Sequence, residues 1–530
     1  MVVIILIPTA VGENIMHNLE GITMGELVRL NIGDLKEIRK INPALTSYNV
    51  EMTEVTGGMF WKAYTPEQIA GIEEVPPPDF STGNPMASMF QRYDPIDSKN
   101  PRLIKLAKAI APKLWIRVAG GWATKTYYDF DGIGETPEGY QDRLTKEQWI
   151  NILDFIKAVD GRLLISLANC EGLHSAEEPW NPSEAEKIFA LSKEYGVPIE
   201  AVEFTNEPNM LYAIMDNYTA EHFRRDQDLF HKWLRANYPE VIAVGPCTCD
   251  PEPMRQYMEE NGEDASSGGG GVADVFPGCT TTDLLEGCTE KLDVFSYHYY
   301  NGVSERMRAM SPTMFTPATE ATSEKYLNMA RNCARAYSKY SDIYCPGADM
   351  WVTESGDAGA GGHTWGSTYL EVLRELNEFG SFAVETQGVI FHNTLASSDY
   401  GYLQHGTFEP RPSYFAVVLW NQLMGEIVYD SGEEIREGAH VYVHSRKDGK
   451  DGVAYLVINN SKTENTTVEL PKEATVYRLD GNGDMRSPVM YLNGEALILG
   501  ENDEIPVMEG EVVPKGTIEI APGACVFITI

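Results

Sequence analysis

Between residues 46 and 425, short apolar runs alternate with amphipathic helical stretches, and that alternation restricts the chain more than any other feature it has. Eight runs can be counted: Tyr48–Val55, Leu114–Val118, Leu163–Ala168, Ile199–Phe204, Val241–Gly245, Leu292–Tyr297, Met350–Thr353 and Gln387–Phe391. This is the pattern of repeated βα units over a parallel sheet. The intervening helices are well punctuated. Thr145 and Gln148 form a capping box, after which Trp149, Ile152, Leu153 and Ile156 recur at helical spacing. Asn181 caps the next helix, Pro182 takes its first position and Gly196 closes it. No Gly-x-Gly-x-x-Gly phosphate turn follows the first strand, so the pattern predicts a closed (β/α)8 TIM barrel and not an open doubly wound sheet.

The barrel is expected to span residues 46–425. Residues 1–45 are read as a strand and helix leading into it, with the strand able to join a second domain. After Glu426 the helical periodicity stops and alternating strands with turn dipeptides take over, as in HVYVHSRKDGKDGVAYLVINN and TVYRLDGNGDM. Residues 426–530 are therefore predicted to form an all-β sandwich, either structural or carbohydrate-binding. Two insertions, 75–100 and 247–290, are rich in Pro or Gly and long enough to be functional loops.

The formal charge of −36, from 42 Lys plus Arg against 78 Asp plus Glu, argues against nucleic acid or an anionic membrane as partner. No stretch approaches the roughly 18 to 20 apolar residues of a membrane span. Val2–Val11 is interrupted by Pro8 and lacks a basic leader, so it reads as a short strand, and a cytoplasmic location is expected. Four of the eight cysteines, Cys247, Cys249, Cys279 and Cys288, share one segment. Their C-x-C and C-x8-C spacing misses that of structural zinc, which leaves a disulfide-pinned loop or reduced thiols and no metal site.

In a TIM barrel, chemistry sits where apolar strands stop, at their C-terminal ends. The fourth run ends in VEFTNEPN, which puts Asn206 and Glu207 at the barrel mouth, and the seventh ends in MWVTESGD, which puts Glu354 there. Glycoside hydrolysis needs two such carboxyls, one protonated to assist the leaving oxygen and one ionised. Strands four and seven face each other across a barrel, which suits the roughly 5 to 5.5 Å separation of a retaining pair.

Further motifs narrow the reading: RVAGGWATKTYYDFDG at 117–132, SYHYYNG at 296–302, WVTESGDAGAGG at 351–362, SDYGYL at 398–403, FEPRPSYFAVVLWNQLMG at 408–425, and the closing MYLNG and APGACVFITI. With VEFTNEPN they resemble, in order and over nearly the whole chain, glycoside hydrolase family 79, the family of heparanase and β-glucuronidases. The resemblance implies that Glu207 is the acid/base and Glu354 the nucleophile, with Asn206 holding the sugar 2-hydroxyl. It implies that Tyr299 donates to the nucleophile and that Gly361, Gly362, Tyr400 and Gly401 bind the uronate carboxylate. Arg117 is expected to neutralise the nucleophile or to form a core ion pair. Glu54 matches a position that contacts sugar hydroxyls, and the spacing of VEMTEVTGG also admits Glu51. His298 either lines the subsite or is packed beneath it. The family's extended basic cleft has no counterpart as Lys/Arg clusters. The expectation is an exo-acting β-glucuronidase without metal or organic cofactor. The alternatives are endo-cleavage of a glucuronic-acid-containing polysaccharide and an inactive carbohydrate-binding protein.

Overall fold

The computed structural model describes residues 27–33, 35–82, 84–263 and 278–530; the expected strand Val2–Val11 and the run SSGGGG lie outside them. Each of the eight apolar runs contributes a strand to one closed parallel barrel in chain order: Thr46–Glu51, Trp115–Ala119, Arg162–Ser166, Ile199–Glu203, Ile242–Thr248, Val294–Tyr300, Asp349–Gly356 and Ile390–His392. Helices on the outside supply the other half of each buried contact. Helix Lys146–Ala158 starts at the expected capping box, with Gln148 N donating to Thr145 Oγ1 and Thr145 N donating to Gln148 Oε1. Helix Ser183–Tyr195 ends at Gly196, whose φ of 80° is left-handed and suits glycine.

The first strand ends well short of its apolar run. Strand one stops at Glu51, and Met52–Thr56 turns into a single helical turn capped by reciprocal bonds between Glu51 and Glu54. The apparent strand Tyr48–Val55 is thus two elements, because an acidic residue three positions after Glu51 completes a cap at its backbone N–H.

Beyond the barrel a nine-stranded antiparallel sheet and a three-stranded mixed sheet face each other across a second core that includes Val28, Val443, Val457, Val468, Ile520 and Val526. Leu27–Arg29 pairs with Thr467–Glu469, and the strand Glu37–Lys40 lies along residues 427–429. The large sheet is covered on both faces. Along Val453–Ile458, Val453, Tyr455 and Val457 enter the sandwich core, whereas Ala454, Leu456 and Ile458 join the barrel core. That explains why these strands read as continuous apolar text. All eight cysteines are free thiols, so the cysteine-rich segment is not pinned by a disulfide. Among the described residues no helix is long and apolar enough to cross a membrane.

Candidate active site

Period-two alternation sends Glu51, Arg117, Glu203, His298, Tyr300 and Glu354 to the inside of the barrel or its C-terminal mouth, and all of these but Glu51 are joined by side-chain hydrogen bonds. Arg117 is fully buried and organises the floor. Its Nε donates to both oxygens of Glu203 at 2.9 and 3.0 Å, its Nη1 to Glu354 Oε1 at 3.0 Å and its Nη2 to Asn206 Oδ1 at 2.7 Å. Burial alone would push this guanidinium down, but Glu203 and Glu354 outweigh it and hold it above its ordinary range. Arg117 thus pairs with Glu203 and with Glu354 at once.

Glu354 is held at both oxygens. Tyr300 donates to Oε2 at 2.7 Å while Arg117 occupies Oε1. Burial works against its ionisation, yet His298, Arg117 and the Tyr300 hydroxyl together keep its carboxyl below the ordinary value. The expected donor, Tyr299, does not reach it; Tyr299 faces out of the barrel and donates to Asn301 Oδ1 at 2.7 Å. Alternation gives the reason, since with His298 facing inward the next inward position is Tyr300. Asn393 Nδ2 donates to the Tyr300 oxygen at 2.9 Å and to the Tyr400 oxygen at 3.1 Å.

Glu207 follows strand four with a φ of 44°, a left-handed backbone that a side chain adopts only when its surroundings enforce it. His298 Nδ1 lies 3.0 Å from Glu207 Oε1 and 3.5 Å from Glu354 Oε2, so His298 lines the site between the two carboxyls. Its Nε2 is 3.3 Å from Arg117 Nη2. A guanidinium can only donate, so Nε2 accepts and the ring proton on Nδ1 faces the carboxyls. One ligand atom each from Glu207, His298 and Glu354 falls within a 4.8 Å span. That is compact enough for a cation, but Arg117 and the Nδ1 proton already supply the positive side of the cluster.

At strand one, Glu51 and not Glu54 is the carboxyl nearest the pair. Burial first, then the charges of Glu354 and Glu54, push Glu51 well above the usual carboxylate range, and Arg117 pulls it back in part. Glu54 sits behind it, accepting from Glu51 N at 2.7 Å. Gly120, at φ 92°, leaves the space that the Glu51 carboxylate fills, since a Cβ there would sit 1.6 Å from Glu51 Oε2. Glu203 and Tyr300 thus join the site without having been singled out by their motifs, and of the two acids that VEMTEVTGG admits it is Glu51 that faces the cluster.

The two glycine-bearing loops meet beside this cluster. Asp399 N and Ser398 Oγ both donate to the Gly361 carbonyl, at 3.2 and 2.9 Å, and a Cβ on Gly362 would come within 2.9 Å of Tyr400 N. Among the described residues the Gly361 N–H has no acceptor, whereas Gly362 N donates to the Ala358 carbonyl at 3.2 Å. The Tyr400 oxygen accepts from Asn393 and keeps its own proton to donate. Gly401 is different: it packs on the Ser397 backbone and its carbonyl accepts from Arg411 Nη1 at 2.8 Å, a structural role.

No protein-family model matches the chain. Heparanase-like protein 1 of Arabidopsis thaliana is 24% identical over 478 residues, covering 78% of this chain and 81% of the relative. Baicalin-beta-D-glucuronidase of Scutellaria baicalensis is 27% identical over 250 residues, 45% of this chain and 46% of the relative. Among solved structures, a 4-O-alpha-L-rhamnosyl-beta-D-glucuronidase from Fusarium oxysporum 12S superposes with a TM-score of 0.59 at 11% identity, covering 95% of this chain and 100% of that one, a likeness of fold.

Proposed function

We propose that the chain is a glycoside hydrolase of the heparanase and β-glucuronidase family, family 79, and within it a retaining exo-β-glucuronidase that removes terminal β-linked glucuronic acid. The observation that carries this reading is the approach of a Glu207 oxygen and a Glu354 oxygen to within 4.8 Å. Retaining pairs stand about 5 to 5.5 Å apart, while inverting pairs need roughly 6.5 to 9.5 Å to admit a water.

The environments of the two carboxyls divide the work. Glu354, held ionised by Arg117 and Tyr300, attacks the anomeric carbon and forms a glycosyl ester. Glu207, beside His298 Nδ1, protonates the departing glycosidic oxygen, then takes a proton from the water that hydrolyses the ester. Asn206, its carbonyl fixed by Arg117, keeps its amide for the 2-hydroxyl. Glu51 accepts from sugar hydroxyls.

The sugar carboxylate is met by local donors, the Gly361 N–H and the Tyr400 hydroxyl, so an acidic protein needs no basic patch to bind an anion. Exo action is supported by the wall beside them. Strand Gly58–Trp61 pairs with Phe90–Tyr93, Trp61 stacks on Phe90 at 4.5 Å, and Trp61 lies against Gly361. The end of the insertion at 75–100 therefore packs, through Phe90 and Trp61, beside the loop that carries Gly361.

A chromogenic β-D-glucuronide tests the assignment. Wild type is expected to release β-glucuronic acid as the first-formed anomer by NMR, and Glu354→Gln to lose at least about a thousandfold in kcat. No turnover by wild type, or an α-anomer, overturns it.

A further inference from the structure

The turn that offers its amide to the sugar carboxylate is held from behind by two charged side chains that the chemistry does not use. Both charges come from one short 3-10 turn, Glu305–Met307, in the loop after strand six. Glu305 accepts from Thr364 N at 3.0 Å and Thr364 Oγ1 at 2.8 Å, and lies 3.1 Å from His363 Nδ1. Arg306 is only 4% exposed. Its Nη1 donates to the carbonyls of Ala360 and Gly362, each at 3.2 Å, and its Nη2 donates to the Lys62 carbonyl and to Asp399 Oδ2. The guanidinium lies 3.7 Å over the Tyr64 ring, and the Tyr64 hydroxyl donates to the same Gly362 carbonyl at 3.0 Å. Ser304 Oγ adds a bond to the Ala360 carbonyl at 2.9 Å.

In a trans peptide the C=O and N–H point in opposite directions. With the Ala360 carbonyl tied to Arg306 and Ser304, the Gly361 N–H must point away from the clamp, and it has no acceptor among the described residues. The backbone at Gly361 and Gly362, φ 90° and 86°, suits glycine, and a Cβ on Gly361 would come within 2.7 Å of Trp61. Asp399, paired to Arg306 through Oδ2, also donates its N–H to the Gly361 carbonyl, so the clamp joins both loops that carry the donors.

Resting on the glucuronidase reading, we propose that Arg306 is a positioning residue that sets discrimination between acidic and neutral sugars. It gathers the carbonyl ends of the 360–362 turn and so presents an amide end to the sugar's C6 carboxylate. Its own charge is taken by Asp399. A planar fork is required, because two carbonyls on one nitrogen and a carboxylate on the other cannot be spanned by the point charge of a lysine.

The test compares wild type, Arg306→Lys, Arg306→Gln and the milder Tyr64→Phe on 4-nitrophenyl β-D-glucuronide and 4-nitrophenyl β-D-glucoside, with the thermal midpoint of each protein. The glucoside gauges whatever loss is common to both substrates. Expected is a rise in KM for the glucuronide of about tenfold or more with kcat moving far less, and a fall in the glucuronide-to-glucoside ratio of kcat/KM by about tenfold. Arg306→Lys should not rescue it, and Tyr64→Phe should shift both quantities in the same direction by less. Where glucoside turnover is below detection, the KM-against-kcat split decides. Equal loss on both substrates, or a glucuronide KM unchanged in a folded variant, overturns the proposal. A wild type with no preference for the glucuronide overturns the glucuronidase reading instead, before any variant is made.

Discussion

Tyr300 reaches Glu354 Oε2 at 2.7 Å with its hydroxyl proton, because Asn393 already donates to the Tyr300 oxygen and leaves that proton only the carboxylate to face. Such a bond keeps the nucleophile ionised and fixes the direction of its attacking oxygen, so it tunes the chemical step more than binding. Tyr300→Phe is expected to lower kcat by about 10- to 100-fold with a smaller change in KM. Tyr299→Phe, which removes only the bond to Asn301, should stay within about threefold of wild type in kcat and cost on the order of 1 kcal/mol in stability. The reverse ranking in steady-state kinetics would return the role to Tyr299.

Glu51 and Gly120 form a second linked pair. The glycine exists to leave room for the Glu51 carboxylate, since any Cβ at 120 would overlap it. Gly120→Ala is therefore expected to act like Glu51→Gln on kcat/KM, each losing about a hundredfold or more, while Glu54→Gln, one shell further out, loses less than about fivefold. A double variant of positions 51 and 120 that loses no more than either single one would show that both act through the same carboxylate.

How much of this was legible beforehand depends on which physical signal each residue leaves. The eight barrel strands were readable because strands buried on both faces have no polar alternation, and the helix after Thr145 because its cap uses a recognisable pair. Glu207 and Glu354 stood out as acids where apolar runs stop. The end of strand one was hidden, since Met52–Thr56 carries no helix signal beyond the Glu51–Glu54 spacing. The choice between Tyr299 and Tyr300 was open to inspection: placing His298 inward fixes Tyr300 inward by alternation alone. Arg306 left no such mark, because its partners are backbone carbonyls more than fifty residues away in sequence and any surface arginine reads the same way.

Arg117 joins the two halves of the floor, and its removal should be felt in both stability and pH response. Arg117→Met strands Glu203 as a buried carboxylate without its cation, which costs about 3 to 5 kcal/mol when one partner of a buried pair is lost. It also removes one of the groups that hold Glu354 below its ordinary value, so the acidic limb of the pH–kcat/KM profile should move to higher pH. A folded Arg117→Met protein whose acidic limb stays in place would mean that another group controls that limb.

Glu54 supplies a pH dependence of stability that is separate from catalysis. Burial pushes its carboxyl up to about 7, with the Glu51 backbone N–H and Ser397 pulling the other way, against about 4.3 in an unfolded chain. Below the unfolded value both states carry the proton and Glu54 favours neither. As pH rises from there to about 7 the unfolded chain ionises first, so the folded protein loses stability, by at most about 4 kcal/mol once the folded carboxyl has also ionised. Glu51, shifted in the same direction, adds to the loss. Glu54→Gln keeps an oxygen to accept from Glu51 N but cannot ionise, so it should melt near wild type at pH 4 to 5 and clearly above it at pH 8. Thermal midpoints at the two pH values decide the matter: an offset that does not change with pH would mean that the proton lost on alkalinisation is not held by Glu54.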